Sequence, residues 1–365
     1  MKNTQWMMML LLLVLVAGQA DAQRTRRTPR KPATTSTRPA AAAANAKFAI
    51  LDFGSAVGQL SLGSDGVYAL GLGNDNYIWR VDQQSGATSV VLHAPAISSI
   101  YDAIPTFAVY GTTVYYYVQG RGLYRYDGQS FQTSPLVADH FTRGSIGSES
   151  YTFCGVNQQT GVFTICGPTE NAVAIDLQTG TVLKKVQQYA AHAWAVADGT
   201  MWMSYMGNIY KAGASTPAKK AVAEEVYDML MDQQDGTIYM AADRRIFHLD
   251  ADGTWRKQFE LPEQYNGNIK MLAKNGPRIY FATGEYLPNL YMLENGQLTS
   301  IGQLKTGIDH PSGGCHDIYA EPALRLLADN NGNLWYQYNE QCVIIYNPDG
   351  IKGLTGLKGK FNRAN

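Results

Sequence analysis

The sequence is short of charge, of cysteine and of long apolar runs. Only 16% of its 365 residues are Asp, Glu, Lys or Arg, and the two signs balance to a net charge of zero. A surface of this kind has no basic footprint for nucleic acid. The apolar run Met7–Ala17 has eleven residues, far below the ~20 that a membrane-spanning helix needs. No G-x-S-x-G elbow, H-E-x-x-H pair or G-x-x-x-x-G-K-S/T loop occurs, which removes the familiar hydrolase, zincin and nucleotide-binding signatures. Four cysteines are present without any C-x-x-C spacing, and there is no N-x-Ser/Thr sequon. Long amphipathic helical stretches are missing too, which argues against an α/β fold.

What charge there is lies unevenly. Residues 1–46 hold seven basic side chains and one acid, so 47–365 carries a net charge of −6. Lys2 followed by Met7–Ala17 and then Ala20-Asp21-Ala22 reads as a secretory signal peptide, residues 1–22. No cysteine follows the apolar run, so no lipid anchor is expected, and the mature chain is expected to be secreted or periplasmic. Residues 23–46 are rich in Arg, Thr, Pro and Ala. A segment so poor in large apolar side chains cannot offset its ordering entropy, and it is read as a disordered basic linker.

The rest is repetitive. A short apolar strand, a Gly-containing turn and a second strand with a large central residue recur seven times. The second strands include Val67-Tyr68-Ala69, Val114-Tyr115-Tyr116, Ile279-Tyr280-Phe281 and Leu334-Trp335-Tyr336. The turn glycines fall at 66, 111, 161, 199, 236, 276 and 332. Asp-Gly and Asn-Gly at several of these turns are strong hairpin signals, because both residues tolerate positive φ. Each unit continues into a third strand that often ends in an acid or amide, as at Asp82 and Asp176, and then into a weaker fourth. Four strands per unit at an irregular spacing near 44 predict an all-β, single β-propeller of seven blades over 47–365. Merging the blade-three hairpin would leave six. The segment Lys47–Phe53 has no hairpin partner of its own, and the glycine-rich tail after Asn347 is poor strand material. The N-terminal strand is therefore expected to complete the last blade and close the ring.

The runs GNLW at Gly332–Trp335 and GLYRYDG at Gly122–Gly128 resemble the repeats of two-component-regulator-type propellers, and AIDLQTGTVLKKV at Ala174–Val186 resembles a quinoprotein (PQQ-type) propeller repeat. The resemblance covers most of 47–365. It implies the fold and an extracellular bacterial setting, and its motifs mark strands and turns rather than a site.

Four cysteines in an exported chain favour two disulfides. The expected pairs are Cys154 with Cys166, on one hairpin, and Cys315 with Cys342, at the two ends of a blade-seven meander. The connections between blades converge on one mouth of a propeller channel, where functional groups gather. Five of the six histidines fall in or beside such connections. The candidate ligand-binding residues are His93, Tyr101, Asp102, His140, His192, Trp194, Tyr227, Asp228, His310, His316, Asp317 and Tyr319. Imidazole with carboxylate suits a divalent metal, and aromatic faces suit sugar stacking. No motif demands a cofactor, and a metal is the alternative. The function expected is non-catalytic binding of a glycan, a peptide or an envelope protein, by a monomer or a member of an envelope complex. The competing readings are a carbohydrate-active hydrolase or lyase using Asp and His at the mouth, and an accessory or sensor subunit of an envelope complex.

Overall fold

Alternation of buried and polar residues along short strands settles the architecture. In the computed structural model, described here for residues 46–71, 77–93, 106–118, 122–128, 135–138, 153–167, 172–187, 190–196, 199–205, 207–218, 226–284, 288–305, 325–338 and 341–364, all regular structure is β. These residues lie in one unit, 42–365. The signal segment and linker expected at 1–22 and 23–46 fall outside the described residues, apart from Ala46. Among the described residues no helix is long and apolar enough to cross a membrane.

After β1 (Phe48–Asp52), blade one is β2 (Val57–Leu62), β3 (Gly66–Gly71), β4 (Tyr77–Asp82) and β5 (Thr88–His93). Blade two is β6 (Thr106–Tyr110), β7 (Thr113–Val118) and β8 (Gly122–Tyr126), with a Leu123–Val137 bridge where a fourth strand would run. Blade three is β9 (Phe153–Asn157), β10 (Val162–Cys166), β11 (Ala172–Asp176) and β12 (Val182–Val186). Blade four is the thinnest: β13 (His192–Ala195), β14 (Met201–Tyr205) and β15 (Asn208–Lys211), the last bonded by Ala218 N–H to Ile209 O. Blade five is β16 (Val226–Met231), β17 (Ile238–Ala242), β18 (Arg245–Leu249) and β19 (Trp255–Glu260). Blade six is β20 (Ile269–Lys274), β21 (Arg278–Thr283), β22 (Asn289–Glu294) and β23 (Gln297–Gly302). Blade seven is β24 (Arg325–Ala328), β25 (Leu334–Gln337) and β26 (Cys342–Tyr346), completed by β1. The blade count is seven, and the blade-three hairpin stands.

Each innermost strand packs against the next, and β24 packs against β2. Because successive side chains in a strand point to opposite faces, each blade feeds two seams. Tyr68 and Leu70 pack toward Phe107 and Tyr116 of blade two, while Val67 and Ala69 pack toward Trp335 of blade seven. The buried core is thus seven apolar clusters, one in each seam. The acids ending third strands cap the following turn: Asp82 Oδ1 accepts from the Gln84 and Ser85 amides and from the Ser85 hydroxyl.

Ring closure goes beyond the expectation. β1 pairs antiparallel with β26, from Phe48 opposite Tyr346 to Asp52 opposite Cys342. On its other side it pairs in parallel with β27 (Phe361–Arg363), a fifth strand drawn from the tail. The glycines of that tail serve a close approach. Leu354, Thr355 and Gly356 donate backbone hydrogen bonds to Gln83, Gln84 and Ser85 of the blade-one turn. At Gly353 (φ +66°) a Cβ would lie 2.3 Å from the Gln83 carbonyl oxygen.

The expected Cys154–Cys166 disulfide is absent, and both thiols are free and buried. The register puts Cys154 opposite Ile165 and Cys166 opposite Phe153. Residues one step out of register face opposite sides of a sheet. Cys154 accordingly packs in the seam with blade two and Cys166 in the seam with blade four. Cys342 is buried in blade seven, and its expected partner Cys315 lies outside the described residues.

Candidate functional site

An innermost strand has one edge with no neighbour, so its backbone groups need partners from elsewhere. Side chains of adjoining blades supply them. Gln59 Nε2 donates to Phe107 O at 2.9 Å, and Gln59 Oε1 accepts from Phe107 N at 3.2 Å. Ser61 Oγ accepts from Val109 N, and Trp194 Nε1 donates to Met229 O at 3.1 Å. Asp228 Oδ2 accepts from Leu272 N at 2.8 Å. The seven innermost strands, held together this way, enclose a central cavity of about 370 Å³ to which every blade contributes lining residues.

The far end of this cavity is bridged by polar side chains. Gln158, just past β9, donates through Nε2 to Val109 O and Leu62 O. Its Oε1 accepts from Gly111 N, and its own amide donates to Gln233 Oε1 of blade five. It thereby joins blades one, two, three and five across the axis. Asn275 bonds Asn330, and Asn330 bonds Gly63 O, carrying the belt from blade six through seven to one. Lys274 pairs with Asp232 across the seam between blades five and six, both side chains buried.

At the other end, the first residues of the inner strands gather. His192 Nε2 stands 3.5 Å from Asp228 Oδ1, and His192 Nδ1 contacts Ser204 Oγ at 3.2 Å. Burial lowers the affinity of the His192 imidazole for a proton, and the neighbouring Asp228 charge partly restores it. Burial pushes the Asp228 carboxyl up, against the pull of His192 and the Leu272 amide. Phe153 meets His192 and Trp194 edge-on, with ring centroids 5.2 and 5.3 Å away. Trp194 in turn requires Gly155, where a Cβ would stand 2.3 Å from the indole ring. Lys270 Nζ lies 3.4 Å from the centre of the Tyr227 ring, a cation–π distance. The Tyr227 hydroxyl accepts from Asn268. Arg325 opens β24 and lines the same cavity. Burial lowers its proton affinity from a very high starting point, so it remains a cation beside Cys154 and Asp228. Cys154 donates to Phe107 O and contacts Thr106 Oγ1, and burial pushes its thiol up, away from thiolate reactivity.

Of the twelve candidate ligand residues, the structure brings four together: His192, Trp194, Tyr227 and Asp228. His93 is elsewhere, exposed at the end of the outermost strand of blade one and stacked on Tyr77 at 4.6 Å. Tyr101, Asp102, His140, His310, His316, Asp317 and Tyr319 lie outside the described residues. Among the described residues no three His, Cys, Asp or Glu side chains cluster as metal ligands do. Sequence reasoning missed Arg325, Lys270 and Gln59. A signal was present: charged side chains in otherwise apolar short strands, as in IKMLAK and RLLA.

No family model matches the chain, and no curated protein matches it. Solved structures share its architecture. A streptogramin B lyase structure is 13% identical over 82% of this chain and 98% of that one, with a TM-score of 0.55. A chain of the mitotic checkpoint complex is 14% identical over 90% of this chain and 99% of that one, also at 0.55. The extracellular domain of the hybrid two component system BT4673 from B. thetaiotaomicron is 13% identical over 82% of this chain, at 0.51, and this chain spans 39% of it. The regulator-type repeat resemblance thus has a structural counterpart. Proteins so different in name share the ring, and what the comparisons show for this chain is a β-propeller.

Proposed function

We propose that this protein is a non-catalytic extracytoplasmic binding propeller that takes a glycan- or peptide-sized group into the mouth of its central cavity. The observation that carries this reading is the contrast within that cavity. Its far end is bridged by Gln158, Gln233, Asn275 and Asn330, while its mouth is lined by Tyr227, Trp194 and Phe153 beside His192, Asp228, Lys270 and Arg325. Concave sites with aromatic walls and a few convergent polar groups are the usual form of small-ligand sites. No cofactor enters this reading.

The test is a screen of the full mature chain on glycan and peptide arrays, followed by titration of each hit against Tyr227→Ala. Binding weakened tenfold or more, with substrate recovered intact, supports the reading. Binding indifferent to Tyr227 overturns it, and turnover that His192→Ala abolishes replaces it with the hydrolase or lyase reading. The extracytoplasmic setting has its own check. Mass spectrometry of the exported chain is expected to find Gln23 first and one disulfide, Cys315–Cys342, with Cys154 and Cys166 alkylated only after unfolding.

A further inference from the structure

The polar side chains that line the cavity have named partners with one conspicuous exception. Asp228 spends one oxygen on the Leu272 amide and faces His192 with the other. Gln59, Gln158 and Gln233 are bonded to backbone or to one another. Lys274 is held by Asp232 and by the Gly276 carbonyl. Arg325 alone among the charged lining residues makes no hydrogen bond and no ion pair with any described residue. A guanidinium carries five donors in a planar fork that matches a carboxylate bidentately. Those donors stand on the cavity wall, where an entering anion can take them up.

The cavity, at about 370 Å³, admits a compact organic group and excludes a folded partner.

Deepening the binding reading on which it rests, we infer that Arg325 is the anchor of an anion subsite that takes the carboxylate of a small organic acid. The guanidinium fork receives the carboxylate, and the Tyr227 and Phe153 side of the cavity receives the body of the ligand. The carboxylate can come from a sugar acid or from the end of a peptide, and the two are chemically equivalent at the fork.

The test uses the full mature protein and four probes titrated at millimolar concentration by calorimetry: D-glucuronate against D-glucose, and N-acetylglycine against N-acetylglycinamide. At least one acid is expected to saturate the protein and to bind tenfold or more tightly than its neutral counterpart. Arg325→Met is expected to erase that preference. Arg325→Lys, which keeps the charge and loses the fork, retains part of it and controls for folding, together with an unchanged unfolding midpoint for both variants. Preference for glucuronate names the sugar source, and preference for N-acetylglycine the peptide source. Equal binding of acid and neutral forms, or an acid preference that survives Arg325→Met, overturns the subsite. So does the absence of saturable binding by either acid. Tyr227→Ala separates the two readings: a ligand that depends on Tyr227 and ignores Arg325 refutes the carboxylate anchor while leaving the cavity as the binding site.

Discussion

At the far end of the central cavity Gln158 reaches blades one, two and five, and Asn330 reaches blades six and one. At the mouth, formed by the opposite ends of the same seven strands, His192 and Asp228 sit 3.5 Å apart and Arg325 bonds to no described side chain or backbone group. One set of strands therefore ends in a belt that fastens the ring and begins in a constellation with capacity to spare.

The largest effect is expected from breaking the belt. Lys274→Met leaves the fully buried Asp232 carboxylate without its cation, and loss of one partner of a buried pair costs about 3–5 kcal/mol. Urea unfolding should read that loss, with ligand affinity at the mouth unchanged in the protein that remains folded. Gln158→Ala is expected to cost about 1–3 kcal/mol, since it strands backbone groups of blades one and two at the bridged end. If Gln158→Ala altered ligand binding more than stability, the division between the two ends would fail.

The smallest expected effect on stability lies at the mouth, and it is a pH dependence. The folded state holds His192 with a lowered pKa, chiefly through burial, so the unfolded chain takes up the proton first. Stability from this residue is complete above about pH 6.5 and declines as pH falls through that value toward the folded pKa. Asp228, raised chiefly by burial, contributes with the opposite sign as it protonates at lower pH, and Arg325 faces both. His192→Asn should flatten the stability profile below about pH 6.5 while leaving the neutral-pH midpoint nearly unchanged. A profile that keeps its slope in that variant would place the responsible proton elsewhere.

These contrasts also explain what could be read before the fold was known. Hairpin glycines and strand-centre aromatics are local and periodic, so seven blades and the closing strand at Phe48–Asp52 were legible. Tyr68 and Trp335 sit where the repeat put them. The alternation of faces within a strand is equally local, yet Cys154 and Cys166 were misjudged, because hairpin membership says nothing about register until both strands are aligned. β27 escaped because three residues after a run of glycines carry no strand signal, and its existence depends on β1, some three hundred residues earlier. The mouth was half legible. His192, Trp194, Tyr227 and Asp228 stood out as chemistry near blade junctions, whereas Arg325 and Lys270 hid inside strands that otherwise read as core.

The arrangement of blade seven sets a schedule for folding. β1 is the first strand of the ring to be synthesised, and both of its neighbours, β26 and β27, are the last. Until residue 346 is available β1 has no β26 to pair with, and the first strand must wait unpaired while the blades after it assemble. Contacts at such sequence separation carry the greatest entropic delay, and they become worthwhile only when the rest of the circle already holds them close. A chain shortened by only its last five residues would lose β27 altogether. It would hold all seven blades and still lack the strand that covers the outer edge of the closing one.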